Sequence, residues 1–265
     1  MPSVRVGDVD VAYEVQGSGD AVVLVHGSTG SRATWIQQTP TLAERYTVVL
    51  PEYAGGGEST TPDRPLEVDE LVAQVLGAVD DAGVETFHLA GYSLGAVVAA
   101  ALAAEQPERV RTLALVNGWA KTDARMKFTF DLWKRLYESD IELFARYVLA
   151  DGLGRDSFEL FGDGIDAMIP MIAGQLSAGT ALHAELDSRI DIEDRLSRIS
   201  APTLILGGLT DRWVDIHHSR TMAQAIDGAH LEELECGHVS LTEKAPEVTG
   251  LLPVSYTHLT LPTKA

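Results

Sequence analysis

Gly91-Tyr92-Ser93-Leu94-Gly95 lies between two apolar runs, Thr86-Phe87-His88-Leu89-Ala90 before it and Ala96 to Ala104 after it. The first run is short and reads as a buried strand; the second is Ala-rich and long enough for a buried helix. Gly-x-Ser-x-Gly between strand and helix is a sharp turn that holds its serine in strained backbone geometry. A side chain at Gly91 or Gly95 would meet the neighbouring strand or helix where the backbone doubles back. The hydroxyl then stands above the sheet edge, over a helix N-terminus that favours developing negative charge. A plain Gly/Ser turn is the rival reading, but the strand–turn–helix context makes Ser93 the candidate nucleophile.

Outward from this turn, strands alternate with helices. Val4–Val6 and Val9–Val15 predict an antiparallel opening hairpin around Gly7-Asp8. The run 21–25 is continuously apolar, as a strand covered on both faces is; 46–50, 110–116 and 202–206 read as further strands, and His230–Glu235 as a final one. Helices are expected near Ala33-Thr34-Trp35, over Val68–Ala82 with Gly83 ending it, and over Ile216–Ile226. The alternation implies right-handed crossovers and a mostly parallel eight-stranded sheet flanked by helices, an α/β fold. Between about residues 121 and 198 no strand is evident. Helices are predicted there over Lys127–Ser139, Ile141–Leu149, Gly164–Ala178 and Thr180–Arg189, with five of the six phenylalanines. This segment is expected to be a helical cap inserted into a core formed by 1–120 and 199–252.

Residues 253–265 break the pattern. After the start of a last helix at Ala245, two prolines and three threonines neither continue a helix nor cap it. The stretch resembles the translated adapter sequence that ends some metagenome-derived open reading frames, and is set aside as a non-native, loosely packed tail.

The formal charge is −19 and the sequence pI about 4.7. Such acidity argues against nucleic acid or an anionic membrane as partner, since both reward clustered Lys and Arg. The start lacks a basic segment followed by an apolar one, and no apolar run approaches ~18 residues. The single cysteine, Cys236, leaves no internal disulfide and no cysteine-based metal cluster. The expectation is a cytoplasmic monomer or homodimer.

Serine needs a base, itself oriented by a third group. His238 follows the last strand in a Gly-His turn, and Asp211 follows the strand at 203–206, so both fall at the carboxyl edge of the sheet. Asp215 is the rival carboxylate. His88 is mid-strand and His230 begins a strand; His26, His183 and His258 are further rivals. His217-His218 could suggest a metal, but adjacent helical residues diverge and no third ligand is evident, so no metal is expected. An oxyanion needs about two backbone donors. Leu94 N–H is one, and Ser28, in the loop after the strand at 22–25, supplies the other, with His26-Gly27 supporting that loop. Gly55-Gly56-Gly57 lacks the spacing of a dinucleotide fingerprint and reads as a flexible loop beside the site.

Together, His26-Gly27-Ser28, Pro51 through Gly57-Glu58-Ser59, the Ser93 pentapeptide, Asp211 and Gly237-His238 make the chain from Val9 to Leu252 resemble an α/β-hydrolase fold enzyme. Leu115-Val116-Asn117-Gly118-Trp119 resembles the aminoacrylate hydrolase and enol-lactone hydrolase branch. The resemblance implies cofactor-free hydrolysis of a small carboxylic ester or lactone through an acyl-enzyme on Ser93, with His238 as base and Asp211 as orienting acid. Thioester or amide hydrolysis and perhydrolysis use the same residues, and a hydrolase-fold ligand receptor is a further alternative. Serine rather than aspartate at residue 93 excludes the haloalkane dehalogenase and epoxide hydrolase chemistries of the fold. Asp215, where many relatives have proline, and Glu52, where aspartate is commoner, depart from the pattern. The expected substrate-binding residues are His26, Gly27, Tyr92, Trp119, Phe128, Phe144 and Phe161.

Overall fold

Eight strands among the described residues form one sheet: β1 (Ser3–Val6), β2 (Val9–Gly17), β3 (Asp20–Val25), β4 (Tyr46–Glu52), β5 (Phe87–Tyr92), β6 (Val110–Val116), β7 (Thr203–Gly208) and β8 (His230–Leu234). A computed structural model describes the backbone of residues 1–258 and the side chains of 1–252. The sheet order is β1-β2-β4-β3-β5-β6-β7-β8; β2 pairs antiparallel with both β1 and β4, and every other pairing is parallel. The expected mostly parallel sheet is therefore present.

The helices are α1 (Thr39–Ala43), α2 (Val68–Asp81), α3 (Leu94–Glu105), α4 (Ala124–Ser139), α5 (Ile141–Gly152), α6 (Arg155–Phe161), α7 (Ile169–Gln175), α8 (Thr180–Asp187), α9 (Glu193–Leu196), α10 (Ile216–Ala225), α11 (Ser240–Glu243) and α12 (Ala245–His258). Every residue of α3 from Leu94 to Ala104 is buried. Small alanines let it lie flush between the sheet and its neighbouring helices, which an amphipathic stripe would not.

Register places the site. Val25 pairs with Gly91, Tyr92 with Val116, and Gly208 with Leu234. The residues that follow β3, β5, β7 and β8 therefore leave the sheet at one edge. Helices α4–α8 lie between β6 and β7, and the two ends of this segment run side by side, where Lys121 bridges Asp191 and the N–H groups of Thr122 and Ile192 donate to Ile190 and Ala120.

Three expectations about elements need correction. The helix at 33–35 is a 3₁₀ turn, Arg32–Trp35, and α1 restarts with Pro40 in its first turn. The helix expected over 164–178 divides into a 3₁₀ segment, Gly162–Met168, and α7, where Pro170 again occupies the first turn; α6 was not anticipated. The last helix continues through Pro253 to His258. Proline removes one helical hydrogen bond and bends the helix without having to end it. The expectation of a non-native tail falls largely outside the described residues.

Candidate active site

Ser93 sits between β5 and α3 at φ 55°, ψ −122°, a conformation costing a non-glycine residue ~1–3 kcal/mol. Its surroundings allow no other path. A Cβ on Gly91 would lie 2.1 Å from the Gly95 carbonyl oxygen, and one on Gly95 would lie 2.3 Å from the carbonyl oxygens of Val25 and His26. The Ser93 N–H donates to the Val116 carbonyl at 2.9 Å, tying the turn to β6.

His238 Nε2 lies 3.0 Å from Ser93 Oγ, and its Nδ1 lies 2.6 Å from Asp211 Oδ2. The carboxylate fixes the tautomer: Nδ1–H donates to Asp211, leaving Nε2 to accept from the serine. Asp211 Oδ1 accepts the N–H groups of Trp213 and Val214 at 2.9 Å each. Asp215, the rival, instead caps α10 by accepting the His217 N–H. The His238 backbone is held on both sides: its N–H donates to Gly152 at the end of α5, and its carbonyl accepts from Asn117 Nδ2 and Tyr92 Oη. All three side chains are buried; Ser93 is 7% exposed.

The loop after β3 reaches the serine closely, since a Cβ on Gly27 would stand 3.0 Å from Ser93 Cβ. His26 is buried, stacked 4.0 Å from the Tyr53 ring, and donates from Nδ1 to the Gly27 carbonyl. Burial holds its pKa down at about 4. The helical segment between β6 and β7 secures the next two residues. Ser28 Oγ donates to Asp187 Oδ2 at 2.5 Å; Thr29 N–H donates to His183 Nδ1 at 3.3 Å; Ser177 N–H donates to the Thr29 carbonyl at 3.0 Å. His183 Nε2–H donates to the Ala54 carbonyl, and burial lowers this ring to about 4 as well.

Asp187 was not anticipated. It is fully buried, its Oδ1 has no partner among the described residues, and burial pushes its carboxyl well above the ordinary range, against the pull of the Ser28 hydroxyl. His183 and Asp187, four apart on α8, face the core together. That spacing was the available signal, but nothing local says what the face meets.

The Gly55–Gly57 loop is not a flexible flank. Gly55 and Gly56 are buried, the Gly55 carbonyl receives the Gly179 N–H, and a Cβ on Gly56 would stand 2.5 Å from His26 Nε2. Glu52 explains its own departure from the pattern: buried, it pairs with Arg32 at 3.0 Å and accepts the Glu58 N–H, folding the loop around Gly57.

The expected substrate-binding set divides. Trp119 and Phe144 are buried in an aromatic chain in which successive rings from Trp119 through Phe130, Trp133 and Trp213 to His238 are 4.5–5.7 Å apart. Phe144 joins it at Trp133. Tyr92 braces the His238 carbonyl. Phe128 is 75% exposed, because α4 buries Met126, Thr129, Phe130 and Trp133 and residue 128 falls on the opposite side. Phe161 packs in a separate cap cluster with Ile165 and Met168. Trp213, Trp133 and Phe130, not singled out in the sequence, are the rings that complete this chain to His238.

Among the described residues no helix is long and apolar enough to cross a membrane.

A family model described as the alpha/beta hydrolase fold matches residues 20–245. A pyrrolizixenacetamide deacetylase of Xenorhabdus hominickii is 36% identical over 256 residues, 95% of this chain and 96% of its own. A putative carbamate hydrolase RutD of Azorhizobium caulinodans is 30% identical over 253 residues, 94% of this chain and 95% of its own. The enol-lactonase structure from Burkholderia xenovorans LB400 aligns with a TM-score of 0.87 at 24% identity, over 97% of this chain and 100% of that one.

Proposed function

The chain belongs to the alpha/beta hydrolase fold family, and from that premise we propose that it is a cofactor-free serine hydrolase cleaving small acyl compounds through Ser93. One observation carries the reading: the relay from Ser93 through His238 to Asp211, with links of 3.0 and 2.6 Å. His238 Nε2 takes the serine proton as Oγ attacks the carbonyl carbon. The amides of Leu94 and Ser28 receive the oxyanion, and Asp211 stabilises the imidazolium. His238 then gives its proton to the leaving oxygen or nitrogen, and a water activated by the same ring releases the acyl group and restores Ser93.

A small ester or lactone is the least demanding substrate for this arrangement. A C–N substrate, an amide or carbamate, is the second reading, favoured by the names of the two relatives at 36% and 30% identity. It also has physical support in two buried polar atoms without partners among the described residues, Asp187 Oδ1 and Trp213 Nε1. A polar substrate can satisfy groups that a plain alkyl ester leaves unpaired.

The test is a panel of p-nitrophenyl esters, a lactone and an aryl acetamide, run with wild type and Ser93→Ala. Ser93→Ala is expected to lose ~10³-fold or more in kcat/KM with an unchanged circular dichroism spectrum. Retained activity in that variant ends the reading. Tight ligand binding without turnover by the wild type would favour a receptor instead.

A further inference from the structure

His217 and His218, set aside in the sequence because adjacent helical residues diverge, do converge. At the first turn of α10 the His217 ring folds back onto the N-cap residue Asp215, and the two imidazoles lie with centroids 3.9 Å apart and planes at 36°. A third group is present as well. Asp123, the N-cap of α4, brings Oδ2 to 3.2 Å from His218 Nε2 and 3.6 Å from His217 Nε2. All three donor atoms lie within 4.8 Å of one another.

The hydrogen bonds dictate what these atoms offer. His217 Nδ1 is 2.9 Å from Asp215 Oδ1, so it carries the hydrogen and donates. Its Nε2 faces Asp123 Oδ2, as does His218 Nε2, so a cation seated among these atoms would be met by one carboxylate and two imidazoles. Asp123 Oδ1 is engaged by the Met126 N–H at 2.8 Å, while Oδ2 faces the two rings, its 3.2 Å contact with His218 Nε2 being the hydrogen bond that an ion would replace. Ligands bound tetrahedrally at ~2.0–2.2 Å stand about 3.3 Å apart. The two separations from Asp123 Oδ2, 3.2 and 3.6 Å, lie close to that edge, and the third falls within 4.8 Å, which rotation of the exposed His217 ring can shorten. Asp215 holds His217 as carboxylates behind metal-bound histidines do, by accepting the other ring N–H. His217 is exposed, which gives an ion a way in and leaves room for water in a fourth position.

We propose that Asp123 Oδ2, His217 Nε2 and His218 Nε2 form a binding site for a first-row divalent cation, with Zn²⁺ the best match to two imidazoles and one carboxylate. The site joins the first helix of the cap to the helix that follows the Asp211 loop, so an ion there staples cap to core. It shares no residue with the Ser93 relay and does not depend on it.

The experiment is calorimetric titration of Zn²⁺ into EDTA-stripped full-length protein, with Co²⁺ absorption reporting coordination geometry. One site per chain is expected, with a tetrahedral Co²⁺ spectrum. His217→Ala, at an exposed side chain, and Asp123→Asn, which keeps an N-cap residue, are each expected to weaken Zn²⁺ binding about tenfold or more. Zn²⁺ should raise the melting temperature of wild type and Ser93→Ala alike, and that of His217→Ala much less. Equal Zn²⁺ affinity in wild type and both variants overturns the proposal, as does the absence of wild-type binding at millimolar Zn²⁺. Because Ser93→Ala is included, failure of the hydrolase reading and failure of this site give different results.

Discussion

The two halves of the proposed oxyanion hole are built in opposite ways. The Leu94 half is fixed by neighbours in the chain: the left-handed Ser93, the glycines at 91 and 95, and the helix that begins at Leu94. The Ser28 half rests on partners roughly 150 positions away, in Ser177, His183 and Asp187 of the cap. A turn enforced by local sterics needs little outside support. A loop held by residues of α8 and the turn before it depends on the packing of that distant segment, through Asp187, His183 and Ser177.

Breaking the local half has the largest expected effect. In Gly95→Ala the new methyl would sit 2.3 Å from two carbonyl oxygens of the β3 edge, backbone that is locked in the sheet. The expected outcome is loss of soluble protein, or a variant that unfolds at much lower temperature, read by expression and thermal melting. A well-folded, active Gly95→Ala would show that the elbow tolerates movement and that the contrast is overdrawn.

Breaking the cap half should leave the fold standing and cost rate. Asp187→Ala is expected to lower kcat by about 10–100-fold, less than deleting an oxyanion donor outright, because the Ser28 amide is loosened and not removed. Asp187→Asn keeps the shape and still accepts from Ser28, so it should recover most of the rate if the native carboxyl is neutral. Steady-state kinetics on one ester across the three proteins decides this. A rate for Asp187→Asn as low as that of the alanine variant would mean that an ionised carboxylate is required.

A smaller effect is expected in stability at mild acid. His26, His88 and His183 are held near 4 by burial, against about 6.5 in the unfolded chain. Between those values the unfolded chain binds more protons, so stability rises with pH there. It is complete above about 6.5 and drains away as pH falls toward about 4. Urea midpoints measured across that window should fall, and His183→Gln should flatten part of the slope. A midpoint independent of pH from 6.5 to 4.5 would show that the clamp does not need a neutral imidazole.

The same division explains what the sequence disclosed. The Ser93 turn, the strand ends carrying Asp211 and His238, and the Ser28 loop follow from short runs read against the period of strands and helices. Asp187 gave only its four-residue spacing from His183: an aspartate near the end of a helix reads as solvated, and only packing against Ser28 gives it a role. Glu52 stood only as a departure from the pattern and the Gly55–Gly57 loop read as flexible for the same reason, since their partners Arg32, His26 and Gly179 come from elsewhere. The Asp123, His217 and His218 cluster likewise joins residues about 95 apart.

The finest distinction lies within α4. Composition singled out Phe128, but helical periodicity selects Phe130 and Trp133, which share the buried stripe with Met126 and stand in the aromatic chain leading to His238. Trp133→Phe should shift relative kcat/KM across acyl-chain lengths by several-fold while triad chemistry is kept. Phe128→Ala removes a side chain already 75% in solvent, so its cost in stability should stay within about 0.5 kcal/mol and its substrate profile should match wild type. A changed acyl preference in Phe128→Ala, with none in Trp133→Phe, would move the binding surface to the outside of the cap. The cap would then recognise substrate before admitting it to the site.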